Sequence, residues 1–142
     1  MADLVPVMTI AELSDFFVQA FPVGDHDRLG RIDRIEPGFV RLALEPETSN
    51  LRPGGIVSGP TQMGLVDRAA YAVILAHIGP VAMAVTSNLN MSFLRAVKQQ
   101  TVWCDAALLK LGKRLATVDC RLWQDDPAYI VGQAVVTYAI PG

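Results

Sequence analysis

Residues 58–78 read SGPTQMGLVDRAAYAVILAHI, and this stretch decides the fold because it is apolar on nearly every helical face. A helix that is hydrophobic all round is usually buried rather than laid on a surface. Ser58 is a favoured N-cap residue, Pro60 is favoured in a first helical turn, and Gly79-Pro80 stops the run. The pattern therefore predicts one long buried helix from about Pro60 to Ile78.

Asp67 is a carboxylate near the middle of this apolar helix. Burying an ionised carboxylate costs free energy unless the group is paired, hydrogen-bonded or reached by solvent. From the residues alone two interpretations stay open. Asp67 is either a general base, or a structural group in a buried ion pair with an arginine or in a polar contact between two copies. The neighbouring Arg68 projects roughly 100° away around the helix and is not its natural partner.

The segments around the long helix predict an antiparallel sheet. Thr9-Ile10-Ala11-Glu12 has the form of a capping box and predicts a helix from about Ile10 to Ala20. Short turns between the later apolar segments imply hairpins. We expect six strands, at about 30–35, 39–44, 81–94, 101–111, 114–124 and 129–140. One sheet wrapped around the long helix is the simplest way to bury that helix, so the sequence predicts an α+β fold in a single domain over residues 1–142.

Composition limits the partners and the location. Hydrophobic residues make up 51% of the chain and charged residues only 18%, which indicates that a second copy covers part of the apolar surface. The net charge is −2 and the basic residues are dispersed, so a nucleic acid is not an expected partner. Residues 1–10 lack the pattern of a signal peptide, and Asp67, Arg68 and Gly79-Pro80 interrupt the longest apolar run. We expect a cytoplasmic protein that does not enter the membrane.

The cysteines and histidines do not predict a metal site. Cys104 and Cys120 lie in apolar, strand-like segments, where reduced thiols are favoured over a disulfide across neighbouring strands. His26 and His77 are too few and too far apart to predict zinc binding. His77 lies near the end of the long helix, which favours a role at the helix terminus over catalysis.

The start of the long helix offers a second chemical group. The first N–H groups of a helix have no intrahelical acceptor and lie at the positive end of its dipole, and Gly59 has no side chain to block an approaching oxygen. Gly59 and Asp67 are separated by roughly 12 Å along one helix. A reacting carbonyl must lie about 3 Å from both groups, so a site that uses both needs two antiparallel copies of the helix. From the Ser58-Gly59-Pro60 triplet alone, a well-capped helix start is the favoured interpretation.

Residues 85–94 read VTSNLNMSFL and are rich in small polar side chains. Strand alternation predicts one shared face for four of them, Thr86, Asn88, Asn90 and Ser92. Such a face would suit a substrate channel beside the helix, although a solvated sheet face is the more common case.

These motifs together resemble the PaaI-type acyl-CoA thioesterases of the hotdog-fold superfamily. The resemblance rests on a loop containing an Asn, a helix start of small residues, an acid eight residues after the glycine, and the pattern Thr-x-x-Leu-x-x-x-Phe-Leu-Arg. It extends from about Gly30 to Ile140. The resemblance implies a hotdog fold, a homodimer with a continuous sheet and often a dimer of dimers.

Carried over by position, the resemblance also implies roles for site residues. Asp67 would act as a general base for water or as a nucleophile on the thioester carbonyl. The Gly59 N–H would polarise that carbonyl from the other subunit, Thr86 would position the water, and Asn50 would support the site. The substrate would be an acyl-CoA, with no metal and no separate cofactor.

Other residues are candidates for holding the substrate. Ser58 is placed near the thioester sulfur, and Asn88 lies on the polar strand. Four basic residues are candidates for the CoA phosphates, Arg95, Lys98, Lys113 and Arg114. Solvated charges at strand ends are an equally good interpretation of these four.

Two departures from the family pattern leave a rival function open. Relatives usually read His-Gly-Gly at the helix start, where this chain has Ser58-Gly59-Pro60, so a ring that orients the thioester and one N–H donor are lost. Ala96 follows Arg95, where relatives commonly have Pro. The rival is a non-catalytic acyl-CoA-binding hotdog protein. A hotdog hydratase is a weaker alternative, since no His accompanies Asp67 at helical spacing.

Overall fold

The computed structural model describes residues 4–24 and 26–142, in which one antiparallel sheet wraps around one long helix. The helices are α1 (Ile10–Ala20), α2 (His26–Gly30) and α3 (Gly59–Ile78). The strands are β1 (Arg31–Glu36), β2 (Phe39–Leu44), β3 (Leu51–Arg52), β4 (Ile56–Val57), β5 (Val85–Phe93), β6 (Val102–Leu111), β7 (Leu115–Trp123) and β8 (Gly132–Ala139). Six strands form the main sheet in the order β1-β2-β6-β7-β8-β5, and β3 pairs with β4 in a separate hairpin. The predicted hotdog architecture is confirmed.

The long helix α3 is buried as its sequence predicts. Its N-cap is Ser58, whose Oγ accepts the Thr61 N–H, and its last residue is followed by Gly79 at a φ of 94°. Every residue from Ala69 to His77 is buried. Because a sheet curves around α3, each face of this second half of the helix meets apolar side chains, and no polar stripe is needed there.

The end of α3 is fixed by His77. Its Nδ1 donates to the Val73 carbonyl at 2.7 Å, and its Nε2 accepts the Gly38 N–H at 2.9 Å. The imidazole therefore links the last turns of α3 to the turn between β1 and β2. The predicted helix-terminal role of His77 is confirmed.

Several predicted elements match the structure and others differ. The capping box of Thr9 and Glu12 is present, and α1 has the predicted bounds. The short helix α2 and the hairpin of β3 and β4 were not predicted. Strand β5 starts at Val85 rather than Val81, and β8 starts at Gly132 rather than Tyr129. Residues 81–84 and 127–131 form turns instead, because apolar composition does not distinguish a strand from a packed turn.

Other sequence expectations concern thiols and the membrane. Cys104 and Cys120 are buried and not linked to each other. No helix within residues 4–24 and 26–142 combines the length and the apolar character required to cross a bilayer. The first three residues of the N-terminal stretch assessed for a signal peptide lie outside the described residues.

Candidate functional site

A cavity of about 660 Å³ opens beside the middle of α3. Its wall on the helix includes Thr61, Gly64 and Asp67, one helical turn apart, and a Cβ placed on Gly64 would meet no atom within 4 Å. Most of the remaining wall is apolar and includes Phe21, Leu29, Leu44, Leu65, Tyr71 and Val85. The acid predicted from sequence therefore lies in the wall of a largely apolar cavity.

Two hydroxyl groups hold one oxygen of the Asp67 carboxylate. Thr86 Oγ1 donates to Asp67 Oδ1 at 2.6 Å, and Tyr138 Oη donates to the same oxygen at 2.8 Å. Within the described part of the chain, Oδ2 has no hydrogen-bond or ion-pair partner. A carboxylate has two lone pairs on each oxygen, so Oδ2 keeps its full capacity to accept a proton or to attack.

Tyr138 was not predicted from the sequence. It lies on β8, is 4% exposed, and pairs across the sheet with Thr86 on β5. Burial, and in addition the negative charge of Asp67, raises the pKa of Tyr138, so its hydroxyl keeps the proton that it donates. Strand alternation could have placed this residue on the inner face of the sheet. The register between β8 and α3, which brings it to Asp67, is not visible in the sequence.

A β-bulge at Ser87 corrects the prediction for β5. Thr86 pairs with Tyr138, whereas Asn88 pairs with Thr137, so the pairing skips Ser87. An extra residue reverses the alternation of side chains. Thr86 therefore faces α3, while Asn88 lies with Asn90 and Ser92 on the outer face. The prediction of one shared polar face is wrong, and with it the reason to place Asn88 in a channel beside Asp67.

The start of α3 leaves a single amide available. The Thr61 N–H donates to Ser58 Oγ and the Gln62 N–H donates to the Ser58 carbonyl, while Pro60 has no N–H. Among the described residues only the Gly59 amide of this first turn lacks an acceptor. Ser58 thus acts as the N-cap, and its hydroxyl also donates to Thr61 Oγ1.

Asn50 connects the preceding loop to this helix start. Its carbonyl accepts the Ser58 N–H at 2.9 Å, and its Oδ1 accepts the Glu47 N–H at 2.8 Å. Asn50 also lines the cavity that contains Asp67. The structure thus brings Asn50, Asp67 and Thr86 to one cavity.

Gly59 lies apart from that cavity within one chain. A Cβ placed on Gly59 would contact the Phe93 ring at 3.5 Å, whereas Asp67 contacts Thr86. Phe93 and Thr86 lie near opposite ends of β5. A single copy therefore does not bring the free amide to the carboxylate, as the spacing along the helix predicts.

Arg68 does not form an ion pair with Asp67. Its Nε donates to the Gly30 carbonyl at 3.0 Å, its Nη2 lies 3.0 Å from His26 Nδ1, and its guanidinium stacks over the Phe17 ring. Burial lowers the pKa of Arg68 to about 10, so it remains charged at neutral pH. No arginine or lysine among the described residues pairs with Asp67, so one chain does not place this acid in a buried ion pair.

The four basic candidates lie at two ends of the sheet. Arg95 and Lys98 follow β5, where Arg95 stacks on Tyr129 and Lys98 lies 3.8 Å from Asp125. Lys113 and Arg114 occupy the turn before β7, near the opposite end of β5. Within one chain they do not form a single basic patch.

The fold and the site define a class of protein. A sheet wrapped around one long helix is the arrangement of the hotdog fold, and the comparisons with known proteins indicate a thioester hydrolase. The model of the thioesterase superfamily matches residues 54–131. The chain belongs to the thioesterase superfamily.

Individual relatives agree with this family. A candidate thioesterase from Silicibacter sp. TM1040 is 34% identical, with a TM-score of 0.88 over 99% of this chain and 97% of that chain. A candidate esterase from Saccharolobus solfataricus is 26% identical over 97% of this chain and 89% of that protein. A Streptococcus mutans protein solved with acetyl-CoA is 22% identical and shares the fold, with a TM-score of 0.70 over 80% of this chain and 89% of that chain. The resemblance stated from the motifs is confirmed at the level of the superfamily.

Proposed function

We propose that the protein hydrolyses an acyl-CoA thioester to a free carboxylic acid and CoA, in a single hotdog domain that works as a homodimer. The observation that carries this proposal is the open Oδ2 of Asp67 in the wall of an apolar cavity. An apolar wall suits an acyl group. A carboxylate that is held on one oxygen and open on the other suits proton abstraction or direct attack.

The bonds that form and break involve only the thioester, this carboxylate and water. As a general base, Oδ2 takes a proton from water while the water oxygen bonds to the thioester carbonyl carbon. The C–S bond then breaks, and the CoA thiolate leaves and is protonated. As a nucleophile, Oδ2 bonds to the same carbon, the C–S bond breaks, and the CoA thiolate leaves and is protonated; water then hydrolyses the resulting anhydride. Both routes release one acid and one thiol, and neither needs a metal or another cofactor.

The developing oxyanion requires a donor that one chain does not bring to Asp67. We assign this role to the Gly59 N–H of the partner subunit, because it is the free amide at the positive end of α3. Removing one such donor from an oxyanion site costs about 10²–10³ in rate elsewhere. Gly59 also leaves room for the carbonyl oxygen, since it has no side chain.

The edge strand β5 provides the surface for this dimer. It is nine residues long, pairs with β8 alone among the described strands, and none of its residues is buried. A long exposed edge strand is a template for pairing with another strand. Apolar side chains exposed around it include Met63, Met83, Val85, Phe93 and Leu94. Two β5 strands could pair antiparallel, with the two-fold axis near Leu89 and Asn90. The partner's Phe93 would then lie beside Thr86. The partner's Gly59, which lies next to its own Phe93, would come close to Asp67.

The same dimer would bring the four basic candidates to one end of the sheet. Antiparallel pairing of β5 brings Arg95 and Lys98 of the partner subunit to the end of the sheet where Lys113 and Arg114 lie. Four positive charges there would suit the phosphates of CoA. The acetyl-CoA bound to the Streptococcus mutans protein supports CoA as the carrier of the acyl group.

The test is release of free thiol from straight-chain, branched and aromatic acyl-CoA esters. We expect turnover with at least one ester class, and its loss in Asp67→Asn, with acyl-CoA binding retained. Tight binding by the wild-type protein without thiol release would instead support the non-catalytic binder that the Ser58-Gly59-Pro60 departure favours.

A further inference from the structure

The contact between Tyr138 and Asp67 goes beyond the roles that family motifs assign. Tyr138 Oη lies 2.8 Å from Asp67 Oδ1 and 3.1 Å from the Asp67 carbonyl oxygen. A hydroxyl has one proton, and the ionised carboxylate is the stronger acceptor of the two. The hydroxyl is therefore directed to the reacting group.

We infer that Tyr138 is a positioning residue for the hydrolysis: it fixes Oδ1 of Asp67 and leaves Oδ2 as the oxygen that reacts. The effect on turnover rests on the proposed function. The hydrogen bond from Tyr138 to the Asp67 carboxylate can itself be tested without substrate.

The two donors to Oδ1 come from neighbouring strands. Thr86 lies on β5, directly before the bulge at Ser87, where the pairing with β8 is irregular. Tyr138 is 4% exposed on β8, between β5 and β7, and its ring stacks on Tyr71 with centroids 5.8 Å apart. The buried ring holds its hydroxyl in place, and that hydroxyl in turn holds the carboxylate.

The electrostatic surroundings contain few other groups that could set the protonation of Asp67. Among the described residues, the other ionisable side chains lining the cavity are Arg68 and Tyr71, both on α3. Arg68 directs its guanidinium to Gly30, His26 and Phe17, and Tyr71 donates to the Ala82 carbonyl at 3.0 Å. In the described part of the chain, the carboxylate itself accepts hydrogen bonds from Thr86 and Tyr138 alone.

Tyr71 supplies a matched control for Tyr138. Both are tyrosines that line the cavity, both have a hydrogen-bonded hydroxyl, and their rings stack on each other. Only the Tyr138 hydroxyl donates to Asp67, whereas the Tyr71 hydroxyl donates to Ala82. Tyr138→Phe and Tyr71→Phe each remove one hydroxyl and keep the stacked ring, so a general effect of losing a buried hydroxyl appears in both variants.

The first experiment is the pH dependence of kcat/KM for thioester hydrolysis in the wild type and the two variants. In Tyr138→Phe we expect kcat to fall about tenfold or more, since hydrogen bonds to charged groups are the strong ones. We also expect its acid limb to move to higher pH, because the ionised form of Asp67 loses a donor. The acid limb of Tyr71→Phe stays at the wild-type pH. If the acid limb lies at the same pH in both variants, the inference is overturned, and the role of Tyr138 is only to attach β8 to α3.

The second experiment is a titration of the Asp67 carboxyl carbon by ¹³C NMR without substrate. We expect the midpoint to rise in Tyr138→Phe, which loses a donor to the carboxylate, and to stay in place in Tyr71→Phe. A midpoint that does not move in Tyr138→Phe overturns the inference. Failure of the wild type to hydrolyse any thioester overturns the proposed function, and it is distinguishable because the NMR midpoint needs no turnover.

Discussion

Asp67 and His77 are polar residues of the same buried helix, ten positions apart, and they are used in opposite ways. Both ring nitrogens of His77 are occupied, one by the Val73 carbonyl and one by the Gly38 N–H. Asp67 has both hydroxyl donors on Oδ1, while Oδ2 faces no partner among the described residues. A buried polar group whose atoms are all satisfied holds the fold together. A polar group that has one unpaired atom beside a cavity is available for chemistry.

The most severe challenge to this comparison is Asp67→Asn. The amide oxygen can still accept from Thr86 and Tyr138, so the fold should survive with the free energy of unfolding within about 1 kcal/mol of wild type. The amide nitrogen replaces the reactive oxygen, so we expect kcat/KM for thioester hydrolysis to fall by about 10³. Thiol release and urea denaturation measure both effects. Activity within tenfold of wild type would refute the role of Asp67.

The reverse effect is expected for His77→Leu. The change leaves the Gly38 N–H without its acceptor and should lower the free energy of unfolding by about 1–3 kcal/mol. The kcat of the folded protein should stay at the wild-type value, because His77 lines no part of the cavity. Urea denaturation and thiol release again provide the measurement. A fall in kcat without loss of stability would contradict the structural role of His77.

The free energy of unfolding at alkaline pH tests whether Tyr138 is buried and protonated. Its native pKa is raised, so above pH 10 the unfolded chain releases a proton that the native protein keeps. The unfolded state then binds fewer protons, and this group makes the free energy of unfolding fall by about 1.4 kcal/mol per pH unit. Tyr138→Phe should remove that component, so its stability falls less steeply than that of wild type between pH 10 and 11. Equal slopes in urea denaturation would contradict a buried, protonated phenol at this position.

Gly64→Ala should give the smallest effect. Ala is favoured over Gly inside a helix, and a Cβ at this position meets nothing within 4 Å in the chain. The variant should therefore be more stable by up to about 1 kcal/mol, measured as a higher midpoint in urea. A clear loss of stability would indicate instead that a second copy packs closely against Gly64.

The sequence predicted those parts of the fold that depend on local pattern. A local sequence signature marks the apolar run of α3, the Thr9 capping box and the hairpins of β6, β7 and β8. Asp67 was recognised because it is a charged residue inside the apolar run of α3. Helix α2 is too short to show a periodic pattern. The bulge at Ser87 was missed because small polar residues occupy both faces of β5, so an inserted residue leaves no trace in the alternation. Tyr138 was missed because its importance depends on how β8 aligns with α3.

Mixed dimers of Asp67→Asn and Gly59→Val subunits would decide whether the site is shared between two copies. Valine at position 59 blocks the approach to the amide, so each variant alone should be inactive. A mixed dimer retains one site with an intact Asp67 and an intact amide from the other subunit. Random reassociation of equal amounts should then restore about a quarter of wild-type activity. Mixtures that remain as inactive as the separate variants would show that the two groups do not act across a dimer.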